Sequence, residues 1–117
     1  MKIAGPLYDL GRVKALASSV QALTIVTRKC RRDIANLFGS NHQDVADLIC
    51  SLNQSDYHDS EWCEVSPKSL AACDAYRVKR REYDLRTDQT LSINYYVKFA
   101  IGRGGKLLLL VSTHLSS

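Results

Sequence analysis

No apolar run in this 117-residue sequence approaches the roughly 20 residues that a membrane-spanning helix requires. There is no Gly-rich phosphate loop, no Gly-x-Ser-x-Gly elbow and no pair of metal-binding carboxylates, so the usual marks of nucleotide-loop enzymes, serine hydrolases and two-metal sites are missing. The four cysteines, Cys30, Cys50, Cys63 and Cys73, include no Cys-x-x-Cys pair, and their spacing resembles no zinc framework. They read most simply as reduced thiols, two of them at helical core positions; a zinc site built from His58, Cys63 and Cys73 is the alternative. No cofactor is expected. The stretch Met1 to Pro6 has one Lys and no apolar run behind it, unlike a signal peptide, and a cytoplasmic location is the expectation. Internal repeats and low-complexity segments are also missing.

What is present suits a single domain over 1–117, long enough to remove roughly two-thirds of the unfolded surface from water. The net charge of +4 is modest but unevenly placed. Arg28-Lys29-Cys30-Arg31-Arg32 and Arg77-Val78-Lys79-Arg80-Arg81 carry four cations each, together half of the 16 basic residues. Concentrated positive charge points to a polyanion or an acidic protein.

The chain is organised around Gln89 to His114, which reads as a β-hairpin. Leu91, Ile93, Tyr95, Val97, Phe99 and Ile101 alternate with Ser92, Asn94, Tyr96, Lys98 and Ala100, a period of two that marks a strand with one face in a core. Gly102-Arg103-Gly104-Gly105 supplies the reversal, and Lys106 to Val111 follows as an apolar strand covered on both faces. Tyr96 and Lys98 belong to the polar face, and His114 ends the partner strand. A loop of two or four residues would set His114 on the face of Tyr95. A loop of three or five, or a bulge, would set it on the face of Tyr96, which is favoured because it gathers the polar side chains. Otherwise Tyr96 and Lys98 are an ordinary solvated face.

Before the hairpin, Leu10 to Val20 has the spacing of an amphipathic helix. Ala22 to Val26 is β-prone, an edge strand or an extended link. Thr27 caps a second helix ending before Gly39, with Ile34, Leu37 and Phe38 buried. Four cations in its opening turns oppose the helix dipole and suggest a binding duty. Ser40 or Asn41 caps a third helix with Val45, Leu48, Ile49 and Leu52 inward. Asn53 to Ser60 is a polar exit. Glu61 to Ser69, holding Pro67, reads as a loop pinned by Trp62. Leu70 to Leu85 is one long strand, and Arg86-Thr87-Asp88 turns into the hairpin. Helices followed by an antiparallel three-stranded meander make an α+β fold, with N-terminal helices packed on a C-terminal antiparallel sheet.

Several segments, in order along most of the chain, resemble the MqsR family of bacterial toxins. Arg12-Val13-Lys14 is similar to that family's Val-Lys pair, and Leu48-Ile49-Cys50-Ser51-Leu52-Asn53-Gln54-Ser55-Asp56-Tyr57 to its Ile-Ile-x-Leu-x-x-Ser-Asp-Phe segment. Asp74-Ala75-Tyr76-Arg77 resembles Asp-Val-Tyr-Arg, Tyr96-Val97-Lys98-Phe99 resembles Tyr-Leu-Lys-Ile, and Val111-Ser112-Thr113-His114 resembles Val-Ser-Phe-Lys. The resemblance implies a RelE-like fold and a toxin of a type II toxin–antitoxin system, an mRNA interferase that cleaves mRNA and inhibits translation. It also implies a cognate antitoxin protein with a DNA-binding domain, so that DNA is met only through the antitoxin complex. Within the active site only Tyr96 matches in kind. The family's Lys falls on Asp59, its Gln on Cys73 and its terminal Lys on His114.

RNA cleavage without a metal needs a base for the 2′-hydroxyl, an acid for the departing 5′ oxygen and cations for the phosphate. An unperturbed imidazole, with a pKa of about 6.5, suits either proton role. His114 is therefore assigned as general acid or base, Tyr96 as orienter or second donor, and His58 as a possible second imidazole, although it also fits an ordinary surface residue. Arg77 and Lys98 are assigned to phosphate, with Lys79, Arg80 and Arg81 supporting RNA affinity; the same cations also fit a solvated strand face. Tyr76 and Tyr95 read as core aromatics, and Asp74 as a structural partner for Arg77 or a backbone amide. Two other readings share these residues: a basic module that binds RNA or protein without catalysis, and a nuclease that acts only on translating ribosomes.

Overall fold

A computed structural model of the chain describes residues 1–39 and 41–116. In chain order the elements are β1 (Lys2–Ile3), α1 (Leu10–Ala17), β2 (Leu23–Ile25), α2 (Arg28–Phe38), α3 (His42–Cys50), a 3-10 turn (Gln54–Asp56), β3 (Tyr57–Ser66), β4 (Ser69–Asp84), β5 (Gln89–Ile101) and β6 (Leu108–Leu115). The strands form one mixed sheet in the order β1-β3-β4-β5-β6-β2. Only β2, beside β6, runs parallel to its neighbour. The architecture is α+β as expected, but the three-stranded meander is the centre of a six-stranded sheet. Strands of two or three residues, like β1 and β2, are too short to show a period of two in sequence.

The helices start where their capping residues dictate. Asp9 accepts from the Arg12 amide at 3.0 Å, Thr27 from Cys30 at 3.1 Å and Asn41 from Gln43 at 2.9 Å. Ser40, the other candidate cap, lies outside the described residues. The first helix is shorter than its apolar spacing suggests, ending at Ala17 and leaving Val20 70 % exposed. The Ser18 hydroxyl donates to the Lys14 carbonyl, and Ser19 begins a turn in which its carbonyl accepts from Ala22.

The expected loop over Glu61 to Ser69 is instead most of β3 and the start of β4. Pro67 and Lys68 make the two-residue turn between them, with Lys68 at φ 77°, the left-handed second position that follows a proline in a type II turn. Sequence periodicity fails here because carboxylates and thiols share one face of β3 while Ser60, Trp62 and Glu64 occupy the other. Trp62 is 50 % exposed and belongs to neither core cluster. The last strand also shifts: Lys106 and Leu107 belong to the turn, and β6 runs on to Leu115.

One sheet face carries the helices. Val13, Ile34, Val45, Leu48, Ile49 and Leu52 pack there against Tyr76, Val97, Phe99, Leu108 and Leu110. Each fully buried side chain of this size contributes about 1.5–3 kcal/mol relative to exposure. Tyr76 stacks on Phe99 at 5.5 Å, and Tyr95 on Phe38 at 5.9 Å, so both tyrosines are core aromatics. The opposite face is covered only in part, by a smaller cluster of Cys73, Ala100 and Val111 with Val26, Cys63 and Val65 packed against it. The rest of that face carries polar side chains beside Ala75 and Leu109.

The segment entering α1 is held by a buried carboxylate. Asp74 accepts from the amides of Leu7 (3.0 and 2.9 Å) and Tyr8 (3.0 Å) and from the Ser60 hydroxyl (2.6 Å). It therefore serves backbone amides, not Arg77. Replacing Asp74 with Ala leaves these donors, the buried Ser60 hydroxyl among them, without their acceptor and is expected to lower unfolding stability by about 3 kcal/mol. Urea denaturation checks this; a loss below about 1 kcal/mol would contradict the role.

Candidate active site

The polar face is assembled by strand parity and one bulge. Ile101 pairs with Leu108, Ala100 with Leu109 and Phe99 with Leu110. The next pair is Lys98 with Ser112, which leaves Val111 as an extra residue in β6, and Tyr96 then faces His114. Had the even loop of six residues, 102–107, been followed by a regular ladder, His114 would have fallen on the helix-covered face. The bulged residue is held from both sides. Val111 is buried, its carbonyl accepts from the Thr27 hydroxyl at 3.0 Å, and the Leu110 carbonyl accepts from the Val26 amide at 3.1 Å. Thr27 thus caps α2 and secures the bulge with one side chain.

Tyr96 is the centre of the resulting groove, whose volume is about 470 Å³. His114 stacks on its ring at 5.0 Å and 22°, and His58 meets it edge-on at 6.4 Å and 75°. The Arg77 guanidinium and the Lys98 ammonium each lie 6.0 Å from the ring centroid. His114 Nδ1 sits 2.9 Å from the Leu115 carbonyl. A carbonyl only accepts, so the contact assigns a proton to Nδ1, and the tautomer protonated there has its lone pair on Nε2.

Burial pushes the Tyr96 phenol above its ordinary pKa; Lys98 opposes that rise, while Asp59 and Glu61 add to it. Burial works against the charge of Lys98, yet its 3.0 Å hydrogen bond to Glu61, with Tyr96 and Cys63 nearby, holds the ammonium above the ordinary lysine value. The same bond, aided by Lys2, holds the Glu61 carboxyl below its usual range. The site thus combines a phenol that stays protonated, a fixed ammonium and an imidazole whose Nε2 has no hydrogen-bond partner among the described residues.

Of the residues singled out in the sequence, Tyr96, His114, His58, Arg77 and Lys98 line this one groove. Lys79 and Arg81 are on the same face of β4, two and four residues beyond Arg77. Arg80 is on the other face, its Nε 3.7 Å from Glu82 and its guanidinium 6.0 Å from the Tyr95 ring, so it does not point toward the groove. The odd–even alternation of a strand separates it from its neighbours. The Arg28–Arg32 cluster is also outside the groove; Lys29 pairs with Asp33 at 2.7 Å and Arg31 donates to the Ile25 carbonyl at 3.1 Å.

The positions that depart from the MqsR pattern have definite neighbours. Asp59 lines the groove and pairs with Lys2, whose ammonium also lies 3.3 Å from Glu61. Lys2 arrives on β1, and nothing in a two-residue strand signals it. Cys73 is buried under the face and its thiol is pushed up to about 12, chiefly by burial, so it is no nucleophile. All four cysteines are free thiols; Cys30 is buried in a helix as expected, whereas Cys50 is exposed. Among the described residues no group of three His, Cys, Asp or Glu side chains is placed to hold a metal, so His58, Cys63 and Cys73 do not assemble a zinc site. No protein-family model and no curated protein matches the chain.

Thr27→Val removes both hydroxyl bonds and is expected to cost about 1–2 kcal/mol while weakening the Tyr96–His114 ring contacts seen by NMR; Thr27→Ser should restore them. Unchanged ring contacts in the Val variant would mean that the bulge holds itself. A depressed carboxyl stabilises the fold above its unfolded pKa and loses that contribution as pH falls through the folded value. The difference in Tm between wild type and Glu61→Gln should therefore be largest near neutrality and close toward about pH 3. A pH-independent difference would assign it to packing.

Proposed function

We propose that the chain is an endoribonuclease of the mRNA-interferase kind, the toxin half of a toxin–antitoxin pair, on a RelE-like fold. The observation that carries this reading is the stacking of Tyr96 and His114 on one sheet face with Arg77 and Lys98 beside them. The ordered resemblance to MqsR segments points to the same class. The cognate antitoxin, with its DNA-binding domain, is the protein partner this reading carries.

In the proposed reaction Nε2 of His114 takes the proton from a 2′-hydroxyl, and the alkoxide attacks the adjacent phosphorus. The bond to the 5′ oxygen breaks as a proton reaches it, leaving a 2′,3′-cyclic phosphate and a 5′-hydroxyl. Tyr96 suits the donor role because its raised pKa keeps the phenol protonated, and protonated His58, on the other side of that ring, is the alternative donor. Lys98 places a fixed positive charge where the phosphorane develops negative charge, and Arg77 offers a two-pronged grip on its oxygens. Lys2, not a family lysine at position 59, supplies the third cation.

A purified, folded protein incubated with a bare transcript in EDTA should generate ends carrying a cyclic phosphate. Tyr96→Phe and His114→Ala should each slow cleavage by roughly 10²–10⁴-fold without loss of fold, and each should relieve growth inhibition. RNA binding without cleavage, unaltered by His114→Ala, would instead support a non-catalytic basic module. Cleavage confined to ribosome-bound message would make the enzyme ribosome-dependent.

A further inference from the structure

The strand face that lines the groove at Arg77 continues beyond it. β3 accompanies β4 only as far as Tyr76, opposite Tyr57, and β6 accompanies β5 only as far as Leu115, opposite Tyr95. Beyond these points, apart from the Ser116 amide that donates to the Asn94 carbonyl at 2.8 Å, no further strand flanks β4 and β5 among the described residues, and the two stay paired without interruption to Asp84 and Gln89. This two-stranded ribbon projects from the sheet, with Val78 and Tyr95 anchoring its base in the core. Its two faces differ. On the groove face lie Arg77, Lys79, Arg81 and Tyr83, all exposed, opposite Tyr96, Asn94, Ser92 and Thr90. On the other face Arg80 is matched to Glu82.

We propose that this cationic face of the β4–β5 ribbon is the track along which single-stranded RNA leaves the groove, with Lys79 and Arg81 on successive phosphates and Tyr83 stacking on a base. The proposal rests on RNA being the ligand of the groove. Alternate residues of an antiparallel strand stand about 6.8 Å apart, commensurate with successive phosphates of an extended strand. Among the described residues none of Arg77, Lys79 and Arg81 is engaged in an ion pair, in contrast to Arg80 and Arg86. The facing column, Asn94, Ser92 and Thr90, offers hydrogen-bonding groups and no apolar anchor of the kind a protein partner would bury. Tyr83, 56 % exposed and tied through its hydroxyl to Asp88, holds an aromatic face at the tip. Cations tracking a backbone beside an aromatic platform are the elements of sequence-tolerant single-strand binding.

Binding to a fully 2′-O-methylated strand about 12 nucleotides long, which has no hydroxyl to attack, separates this track from catalysis. Across a salt series the double variant Lys79→Gln/Arg81→Gln should bind roughly tenfold or more weakly at low salt, with a log K against log salt slope shallower by about 1.4. Tyr83→Ala should weaken binding roughly fivefold or more with the slope unchanged. Arg80→Gln should alter neither. An unchanged slope in the double variant, an equal loss in Arg80→Gln, no binding by the wild type, or equal competition by an A-form duplex or polyglutamate would overturn the track. Ribbon-dependent binding by a protein that cleaves no unmodified RNA would sustain the track while removing the nuclease reading. Cleavage with ribbon-independent binding would do the reverse.

Discussion

The site depends on one hydroxyl. Thr27 begins α2 by accepting from the Cys30 amide and, in the same place, donates to the carbonyl of the bulged Val111. The bulge offsets β6 by one residue against β5, and that offset puts His114 across from Tyr96 and not against the core. A helix cap on one element thereby bears on which side of the sheet an imidazole occupies three residues further along β6. Val111 gives the bulge a second reason to persist, because its side chain fills the small apolar cluster with Cys73 and Ala100 on the face that would otherwise be open. Fold and candidate chemistry meet at this point: the residue that breaks the ladder is also the one that closes the second cluster.

The groove is cationic without being simply basic. Lys2 and Lys98 are matched to Asp59 and Glu61, whereas no ion pair is recorded for Arg77 among the described residues. The carboxylates fix the two ammonium groups in place and keep that of Lys98 charged, at the cost of part of the field they would otherwise exert. Charge for holding a phosphate and charge for orienting the site are carried by different residues. This arrangement suits a fixed electrostatic environment around Tyr96, whose phenol is kept neutral by burial.

The helix stripes and the alternation of β5 were readable because both are local: each residue's neighbour along the period lies within four positions in the chain. Val45, Leu48, Ile49 and Leu52 are buried as their spacing requires, and so are Tyr95, Val97 and Phe99. β3 was hidden because its alternation is between polar residues of two kinds. Cys63 and Val65 pack on the small cluster while Asp59 and Glu61, on the same face, meet lysines. Hydrophobic patterning carries no record of that distinction. Trp62 misleads for the complementary reason: it shares the face of the buried Ser60, yet two residues further along β3 it remains half in solvent.

Sequence alone determined that the chain is α+β, that its C-terminal hairpin presents one apolar and one polar face, and that Tyr96 and Lys98 share the polar one. Those properties follow from residue periods and turn chemistry, which do not depend on distant parts of the chain. Strand alternation already divides Arg80 from Lys79 and Arg81, but tertiary structure decided which cations meet at the groove, and it brought Lys2 from the far end of the chain to Asp59. It also decided the side taken by His114. A strand's facing is a parity, and parity past an irregularity is set by what grips the extra residue, here a threonine more than eighty positions away in the chain.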